Sequence, residues 1–281
     1  MKGINHLVLA GHDLGELRDL YADLGFTLTP AAQHPFGTGN TVIQLPGSYL
    51  ELLAVTRPAD IVEASPGRYS FSAFNRDYLK RHEGFSMLVL DTPDAAADIR
   101  SWKAEGLPSY EPFGFSRKAA LPSGEEITIG FALAYTSIPE APWLGVFCCQ
   151  HFAPEYYAQP RYLAHRNGAK GLRDVWVTGR GALDLGRFFV TVADSRATKV
   201  SAGRIDVPTK YGTIVLAAPE VFEAAFGEPP PHPDDGPHLA AFTVACAPAG
   251  TFDRGRLKTV GDRLVLPSVS GFGTVIALSP A

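Results

Sequence analysis

One histidine and one glutamate stand alone among apolar residues in two short runs near the start of the chain. His6 lies in GINHLVLAG (Gly3 to Gly11), and Glu51 lies in GSYLELLAV (Gly47 to Val55). A charged carboxylate in the middle of an apolar strand is costly unless it is paired, protonated or bound to a cation. A metal ion shared with His6 removes that cost, so the two runs together suggest a metal site.

Both runs alternate in a way that is typical of strands, in which successive side chains point to opposite faces. His6 is then expected to share a face with Ile4 and Val8, and Glu51 is expected to share one with Tyr49. The alternative needs no metal: a neutral His6 bonds to a backbone carbonyl, and Glu51 lies at a solvated sheet edge. The residues alone leave both interpretations open.

Two further histidines are candidates for the same chemistry. His151 follows the apolar run that begins at Trp143, where Gln150 competes for the inward face; the alternative is a loop histidine that caps the next turn. His34 opens the Gly-rich loop HPFGTGN (His34 to Asn40), and it is a candidate acid or base. This loop lacks the lysine and the spacing of a phosphate-binding loop, so a nucleotide is not expected. Two histidines and one carboxylate leave coordination positions open, as a catalytic metal requires.

Composition limits the classes of partner. The 281 residues are 46% hydrophobic and 19% charged, with a net charge of −4 and no basic block, which argues against nucleic acid or an anionic membrane. No apolar run approaches the roughly 20 residues needed to span a bilayer. The three cysteines, of which Cys148 and Cys149 are adjacent, argue against a disulfide framework and for a reducing compartment. We therefore expect a cytoplasmic protein, and either a monomer or a homodimer is compatible with these features.

The candidate residues must be positioned by a strand, a helix and three further strands. Asp13 is expected to cap the helix, which ends at Gly25. A second copy then follows: GFSMLVLDT (Gly84 to Thr92) aligns without gaps to the opening run, and Met87 falls at the position of His6. The copies recur at a period of about 80 residues, which is the signature of paired modules. The helix and strands predicted for the second copy are Asp94 to Glu105, Tyr110 to Phe115, Ile127 to Thr136 and Trp143 to Gln150.

The same pattern continues more weakly in the second half of the chain. Asp174 lies in a strand candidate where a ligand is expected, but the last strand (Phe272 to Leu278) carries no ionisable residue. His238 stands at a strand entrance, where a histidine is expected to be solvated. We therefore expect four modules in two pairs, residues 1–153 and 154–281, with metal chemistry in the first pair only.

A strand with a histidine, a helix, and three strands with a glutamate in the last resembles the βαβββ module of the vicinal oxygen chelate superfamily. Three stretches resemble its glyoxalase-like branch: GTGN followed by YLELLAV, the CQH that precedes Pro154–Glu155, and HRNGA (His165 to Ala169). The resemblance implies an α+β fold of paired βαβββ modules (the glyoxalase-like fold). It also implies that the first and last strands of a module present metal ligands into a cup formed by two modules.

By this resemblance, a divalent cation lies in the N-terminal cup and is held by His6, Glu51 and His151. Zn, Fe(II), Mn, Ni and Co are all compatible with such a site. Met87 is not a ligand for a hard metal, so the site departs from the four-ligand lyase pattern of the superfamily. The cation binds two oxygens of a small substrate, and Glu51 or His34 moves the proton. The expected activity is that of a metal-dependent lyase, isomerase or dioxygenase.

Two other functions remain open at this point. One is a non-catalytic binding protein of the bleomycin-resistance type, which sequesters a small molecule in an aromatic cup. The other is a relative that keeps the fold and has lost its activity. Glu51 discriminates between catalysis and binding, because a pure binder has no need of an isolated carboxylate at mid-strand. The aromatic residues expected to line the cup are Phe36, Tyr49, Phe85, Phe113, Phe115 and Phe131.

Overall fold

The computed structural model describes residues 1–120, 126–154, 159–247, 250 and 254–281. Their strands form two mixed sheets of eight strands each. The first sheet comprises β1 (Ile4–Ala10), β2 (Ala32–Gln33), β3 (Thr38–Leu45), β4 (Ser48–Val55), β5 (Gly84–Asp91), β6 (Phe113–Ala120), β7 (Glu126–Thr136) and β8 (Gly145–His151). The second sheet comprises β9 (Ala169–Thr178), β10 (Lys199–Ser201), β11 (Arg204–Pro208), β12 (Thr213–Ala217), β13 (His238–Cys246), β14 (Lys258–Val260), β15 (Arg263–Leu266) and β16 (Val275–Pro280). The helices are α1 (Leu14–Asp23), α2 (Phe71–Leu79), α3 (Ala95–Ala104), α4 (Pro160–Leu163), α5 (Gly186–Val192) and α6 (Pro219–Phe226).

The two sheets have the same strand order. It is β2-β3-β4-β1-β5-β8-β7-β6 in the first and β10-β11-β12-β9-β13-β16-β15-β14 in the second. In each sheet the opening strands of two modules lie antiparallel at the centre, and each opening strand pairs in parallel with the last strand of its own module. The predicted α+β fold of four βαβββ modules in two pairs is confirmed. The division at residues 153 and 154 stays a prediction, since it adjoins residues 155–158, which lie outside the described ranges.

The register between β1 and β5 supports the ungapped alignment of the two opening runs. His6 pairs with Val89, and Val8 pairs with Met87. In the alignment Met87 is the copy of His6 and Val89 is the copy of Val8, so the two pairs exchange under a local two-fold axis. The first sheet is therefore built from two copies of one module placed edge to edge.

The alternation predicted for β1 is wrong at its first residue. The register with β5 shifts between Ile4 and His6, which marks a bulge or similar irregularity. A bulge adds a residue to one strand and reverses the faces of the side chains beyond it. Ile4 consequently packs with Leu7 in the core beneath the helices, whereas Val8 packs on the opposite, cup side with His6. The face expected for Glu51 and Tyr49 is as predicted, because both side chains line one cavity.

Two helices show how the local sequence positions the cup. Asp13 caps α1 by accepting hydrogen bonds from Gly15 N and Glu16 N, as the sequence predicts. The connector after the first module contains a full helix, α2, capped by the Ser70 side chain. This helix places Phe71 against the cup side of the first sheet. None of the helices in the described ranges is long and apolar enough to cross a membrane.

The equivalent face of the second sheet is filled by protein. Helix α6 packs Phe222 and Phe226 against Trp176, and all three side chains are fully buried. Asp174 accepts a hydrogen bond of 2.6 Å from the indole nitrogen of Trp176, and Arg263 lies 3.6 Å from its carboxylate. The carboxylate at this position is thus tied into the core by two protein partners.

Candidate functional site

His6 and Glu51 meet on the cup side of the first sheet. Their strands, β1 and β4, are parallel neighbours, and the two residues lie on the same face. His6 Nε2 is 3.5 Å from Glu51 Oε2. Both residues are deeply buried, with exposed fractions of 3% and 5%. The structure therefore brings together the two residues that the sequence places at the head of the candidate site.

Asn5 fixes the orientation of the His6 ring. Its Oδ1 lies 2.7 Å from His6 Nδ1, and because an amide oxygen only accepts, we assign the ring proton to Nδ1. His6 Nε2 then presents a lone pair toward Glu51 Oε2. Sequence reasoning missed Asn5 because strict alternation points neighbouring side chains to opposite faces. The register shift between Ile4 and His6 breaks that alternation.

His34 approaches the other oxygen of the same carboxylate. Its Nε2 lies 3.6 Å from Glu51 Oε1, and its Nδ1 is held 2.9 Å from Thr38 Oγ1. A backbone hydrogen bond of 2.8 Å from His34 N to Thr38 O closes the turn between β2 and β3. His34, the residue expected as an acid or base, is thus buried, held by Thr38 and directed at Glu51.

Asn40 is the second site residue whose role the sequence did not indicate. Its Nδ2 donates a hydrogen bond of 2.6 Å to Glu51 Oε1. Its Oδ1 is buried and has no hydrogen-bond partner among the described residues. The pairing of β3 with β4 places Val42 opposite Glu51, so Asn40 falls on the same face of the sheet. The signal available in the sequence was a polar residue, Asn40, two positions before Val42, the strand partner of Glu51.

His151 lies on the far side of Asn5 from His6. Its Nε2 is 3.3 Å from Asn5 Oδ1, so one amide oxygen contacts both imidazoles. Its ring packs edge-on against Phe131 and Tyr49 at centroid distances of 4.9 and 6.3 Å. The structure places His151 near the site, and its role as the third metal ligand stays a prediction.

Burial keeps the two histidines neutral near pH 7. It lowers the pKa of His6 well below its usual value, and the neighbouring rings of His151 and His34 lower it further. Burial lowers the pKa of His151 to about 4. A neutral imidazole is the form that ligates a metal, so the lone pair of His6 Nε2 needs no deprotonation step.

Aromatic rings form most of the cavity beside Glu51, which measures about 40 Å³. Of the six aromatic residues expected there, Phe85 and Phe113 do not line it: Phe85 packs in the core beneath the helices, and Phe113 lines a second, outer cavity. No lysine or arginine of the described chain is among the lining residues. These are His6, His34, Phe36, Asn40, Val42, Tyr49, Glu51, Phe71, Phe115, Phe131, Leu133, Phe147 and Cys149.

The adjacent cysteines lie on opposite faces of β8, as alternation predicts. Cys149 lines the cavity, and Cys148 packs beneath the helices. Burial raises the pKa of both thiols, so neither is a thiolate near pH 7.

The remaining sequence candidates have structural roles. His165, in the HRNGA stretch, accepts a hydrogen bond from Thr27 N and donates one to Gln44 O, and so it ties the chain before β9 to the first sheet. His238 is buried, so the expectation of a solvated ring is wrong; its Nδ1 donates to Gly236 O at 2.8 Å. Glu155 of the Pro–Glu pair lies outside the described residues.

Around Glu51, two pairs of donor atoms have about the separation expected for two ligands of one cation. Ligands bound at about 2.1 Å in a tetrahedral site lie about 3.4 Å apart. The separations of His6 Nε2 from Oε2 and of His34 Nε2 from Oε1 are 3.5 and 3.6 Å. Across the described ranges, no three His, Cys, Asp or Glu side chains converge as a complete cation site. The carboxylate is common to both pairs, which makes Glu51 the centre of the candidate site.

The fold and the cup define a protein of the vicinal oxygen chelate superfamily. Among protein families, the profile of the glyoxalase-like domain matches residues 4–196, which is more than half of the chain. The chain therefore belongs to the glyoxalase-like domain family. The matched region contains His6, His34, Glu51 and His151, and it extends past the predicted division at residue 153 into the second sheet. A search of curated protein sequences gives no match.

Solved structures share the fold at low sequence identity. A hypothetical protein from Staphylococcus aureus superposes with a TM-score of 0.75 at 13% identity, over 100% of both chains. A xylose isomerase-like TIM barrel/4-hydroxyphenylpyruvate dioxygenase fusion protein gives a TM-score of 0.50 at 11% identity, over 87% of this chain and 36% of that chain. A mutant of 4-hydroxymandelate synthase from Streptomyces coelicolor gives 0.48 at 14% identity, over 88% and 71%. The full-length superposition on the Staphylococcus aureus protein supports the arrangement of both sheets.

Proposed function

We propose that this chain is a metal-dependent enzyme of the vicinal oxygen chelate type, which acts on a small oxygen-containing molecule in the first cup. The observation that carries the proposal is the contact between His6 and Glu51. A ring nitrogen with a free lone pair faces a carboxylate oxygen at 3.5 Å. That distance exceeds the roughly 2.7–3.2 Å of an ordinary N–H···O bond. These two atoms are of the kinds that would bind a divalent cation.

In this proposal His6 Nε2 and Glu51 Oε2 would hold the cation. His151, the third ligand predicted from the sequence, faces Asn5 Oδ1 and does not line the cavity, so its ring would have to turn toward the pair to join them. A divalent cation at this position polarises substrate oxygens and stabilises the negative charge that develops on them. The mixed nitrogen and oxygen donors suit Zn, Fe(II), Mn, Ni or Co.

The protein's own groups supply positioning and proton transfer. His34 Nε2 reaches the cavity while Nδ1 stays on Thr38 Oγ1, so the ring can take or give a proton without losing its anchor. Asn40 Nδ2 holds Glu51 Oε1 and so orients the carboxylate. Lyase, isomerase and dioxygenase reactions all require such a held ligand and a nearby proton carrier.

The partner in this proposal is a small molecule, not a nucleic acid or a membrane. The net charge of −4 and the absence of a basic block support this. All three cysteines are free and buried, in keeping with the cytoplasmic location proposed. The chain is proposed to act as a monomer or a homodimer.

A second candidate function is sequestration of a small molecule without turnover. The aromatic lining of the cavity favours it, because stacked and edge-on rings bind apolar ligands without any metal. The two functions differ in their need for Glu51. A binding protein gains nothing from a buried carboxylate, whereas the metalloenzyme depends on it.

Metal analysis of the protein purified without chelator tests the proposal. We expect about one equivalent of a divalent metal per chain, removable by chelation and restored by titration of the apoprotein with Zn, Fe(II), Mn, Ni or Co. Isothermal calorimetry gives the affinity, and thermal shift ranks the ions. If none of these ions binds the apoprotein, the metalloenzyme proposal is overturned and sequestration takes its place.

A further inference from the structure

A second cavity adjoins the candidate metal site. It measures about 240 Å³, whereas the inner cavity beside Glu51 measures about 40 Å³. The rings of Phe36 and Phe71 line both cavities, at a centroid distance of 5.9 Å in an edge-on arrangement. These two rings therefore form the partition between an inner chamber and an outer chamber.

The two sides of the partition differ in how they are held. Phe71 is the first residue of α2, and Ser70 caps that helix by accepting from Ala73 N and also donates to Val62 O at 2.6 Å. Phe36 lies in the turn between β2 and β3, where it is only partly buried. Because Phe36 lies in a turn and is partly exposed, its ring is the side of the partition better placed to move. Movement would cost its contacts with the rings of His34, Phe71, Phe113 and Phe115.

The volumes of the two chambers favour such movement. A cavity of about 150 Å³ holds benzene, and about 10–15 Å³ holds one water molecule. The inner chamber, about 40 Å³, therefore accommodates an ion and a few waters but no organic ring while its lining rings stay in place. Displacement of the Phe36 ring would join it to the outer chamber, which has room for the body of a substrate whose oxygens reach Glu51.

The lining restricts what that body can be. Among the described residues that line the inner chamber there is no lysine or arginine, so in the absence of the proposed cation the protein offers no counter-charge there to a phosphate or sulfonate. The outer chamber has an aromatic side that contains Tyr69 and Phe113 and a polar side that contains three serines and charged residues. Its charged residues are already paired within the protein, Arg68 with Glu111 and Glu63 with Arg76. Aromatic and apolar surfaces thus continue from one chamber into the other.

We propose that Phe36 is a gate between the two chambers and selects substrates with an uncharged, apolar or aromatic body that spans both. This inference deepens the proposed function and rests on it for the end of the substrate that meets the cation. The gate itself depends only on Phe36, Phe71 and the two cavities. The predicted binding of an apolar body therefore holds with or without metal.

A matched pair of fluorescent probes tests the gate. N-phenyl-1-naphthylamine is uncharged, and 1-anilinonaphthalene-8-sulfonate has the same rings with one negative charge. Phe36→Ala removes the movable ring, and we expect it to bind the uncharged probe about tenfold more tightly, a gain of about 1.4 kcal/mol, with less than about a twofold change for the sulfonate. Phe36→Trp enlarges the ring and is expected to weaken binding of the uncharged probe. Phe188→Ala, in the groove beside the second sheet, is the control and should change neither affinity.

The titrations are run with chelator and repeated in Glu51→Gln, while metal affinity is measured separately. Three outcomes overturn the gate. They are an equal gain in affinity for both probes, no gain in affinity for the uncharged probe in Phe36→Ala, and the same gain in Phe188→Ala. If the apoprotein binds no metal but the probes behave as expected, the gate stands and the metalloenzyme proposal fails. If metal binds and the uncharged probe gains nothing, the gate alone fails.

Discussion

His34 Nε2 lies 3.6 Å from Glu51 Oε1, and the ring of His34 stacks on that of Phe36 at a centroid distance of 4.9 Å. One imidazole therefore contacts both the carboxylate at the centre of the site and the ring at its entrance. Its Nδ1 stays on Thr38 Oγ1 within the same turn. In the proposed function, a substrate that displaces Phe36 would remove this stacking and expose His34 to the reacting end of the substrate. Entry and proton transfer would then be coupled through one side chain.

The first prediction concerns the pair His6 and Glu51. Glu51→Gln keeps the size of the side chain and removes its charge, and His6→Ala removes the facing nitrogen. We expect each variant to lose more than about 100-fold in metal affinity, because changes to outer-shell partners alone cost about 10–100-fold. The double variant should lose little more than either single one, since both act on one site. Calorimetric titration of the apoproteins measures all three.

Asp174→Asn is the matched control for Glu51→Gln. Both changes convert a buried strand carboxylate to an amide, but Asp174 is tied to Trp176 and Arg263 in the filled second cup. The control should keep its metal affinity. Loss of metal binding in Asp174→Asn, or parental metal affinity in Glu51→Gln, would show that the metal site does not lie in the first half of the chain as proposed.

The second prediction separates the roles of His34 and His151. We expect His151→Ala to lower metal affinity at least about 10-fold, because the residue is a ligand or holds His6 through Asn5. His34→Ala should keep most of the metal affinity and lose the proton-transfer step, about 10²–10⁴-fold in rate. Metal titration is the first readout, and turnover of any substrate found is the second. The reverse pattern would make His34 the third ligand.

Much of the module architecture follows from the sequence because each module repeats the same apolar runs. An isolated histidine and an isolated glutamate in two apolar runs suggested a shared site, and the resemblance to the βαβββ module then placed His6 and Glu51 in one cup. The observed register of β1 against β5 agrees with the alignment of Met87 with His6. These inferences depend on period-two alternation, which holds along most of both strands.

The sequence did not reveal features that depend on a break in strand alternation or on contacts between residues far apart in the chain. Asn5 reaches the His6 ring only because the strand register shifts beside it. The filling of the second cup depends on where α6 docks, and nothing local to Phe222 or Phe226 specifies that Trp176 lies beneath them. Such long-range packing is decided by the whole fold, so a short window of sequence does not contain it.

The third prediction concerns Asn40, which donates to Glu51 Oε1. Asn40→Ala should destabilise the protein by about 1–3 kcal/mol, the cost of leaving a buried polar group unsatisfied. It should also lower metal affinity about 10–100-fold, because it frees the carboxylate that the amide orients. Urea unfolding and metal titration measure the two effects.

Asn167→Ala provides the comparison for Asn40→Ala. Asn167 is also fully buried and donates to Leu24 O at 2.9 Å, away from the cup. This variant should lose a similar free energy of unfolding and keep its metal affinity. Equal effects on metal binding in the two variants would show that Asn40 acts only through stability.

The fourth prediction concerns the dependence of stability on pH. The ring of His232 stacks on that of His82 at a centroid distance of 3.4 Å, and His82 is hydrogen-bonded to Asp235. Burial, followed by the charges of His82 and His238, lowers the pKa of His232 to about 4, although Asp235 opposes the shift. An unfolded histidine has a pKa of about 6.5, so the unfolded state binds more protons between about pH 6.5 and 4. Stability should therefore fall as the pH decreases through this window.

His232→Asn removes the titrating ring and suits the backbone, because His232 has φ = 53° and asparagine tolerates that left-handed region. One proton of difference gives a slope of at most about 1.4 kcal/mol per pH unit, and the partial exposure of His232 reduces it. Urea unfolding at several pH values from 7 to 4 should give a shallower decline for His232→Asn than for the parent protein. His12→Asn, at an exposed histidine, should follow the parent curve. Parallel curves for His232→Asn and the parent would show that His232 does not contribute to the acid sensitivity of the fold.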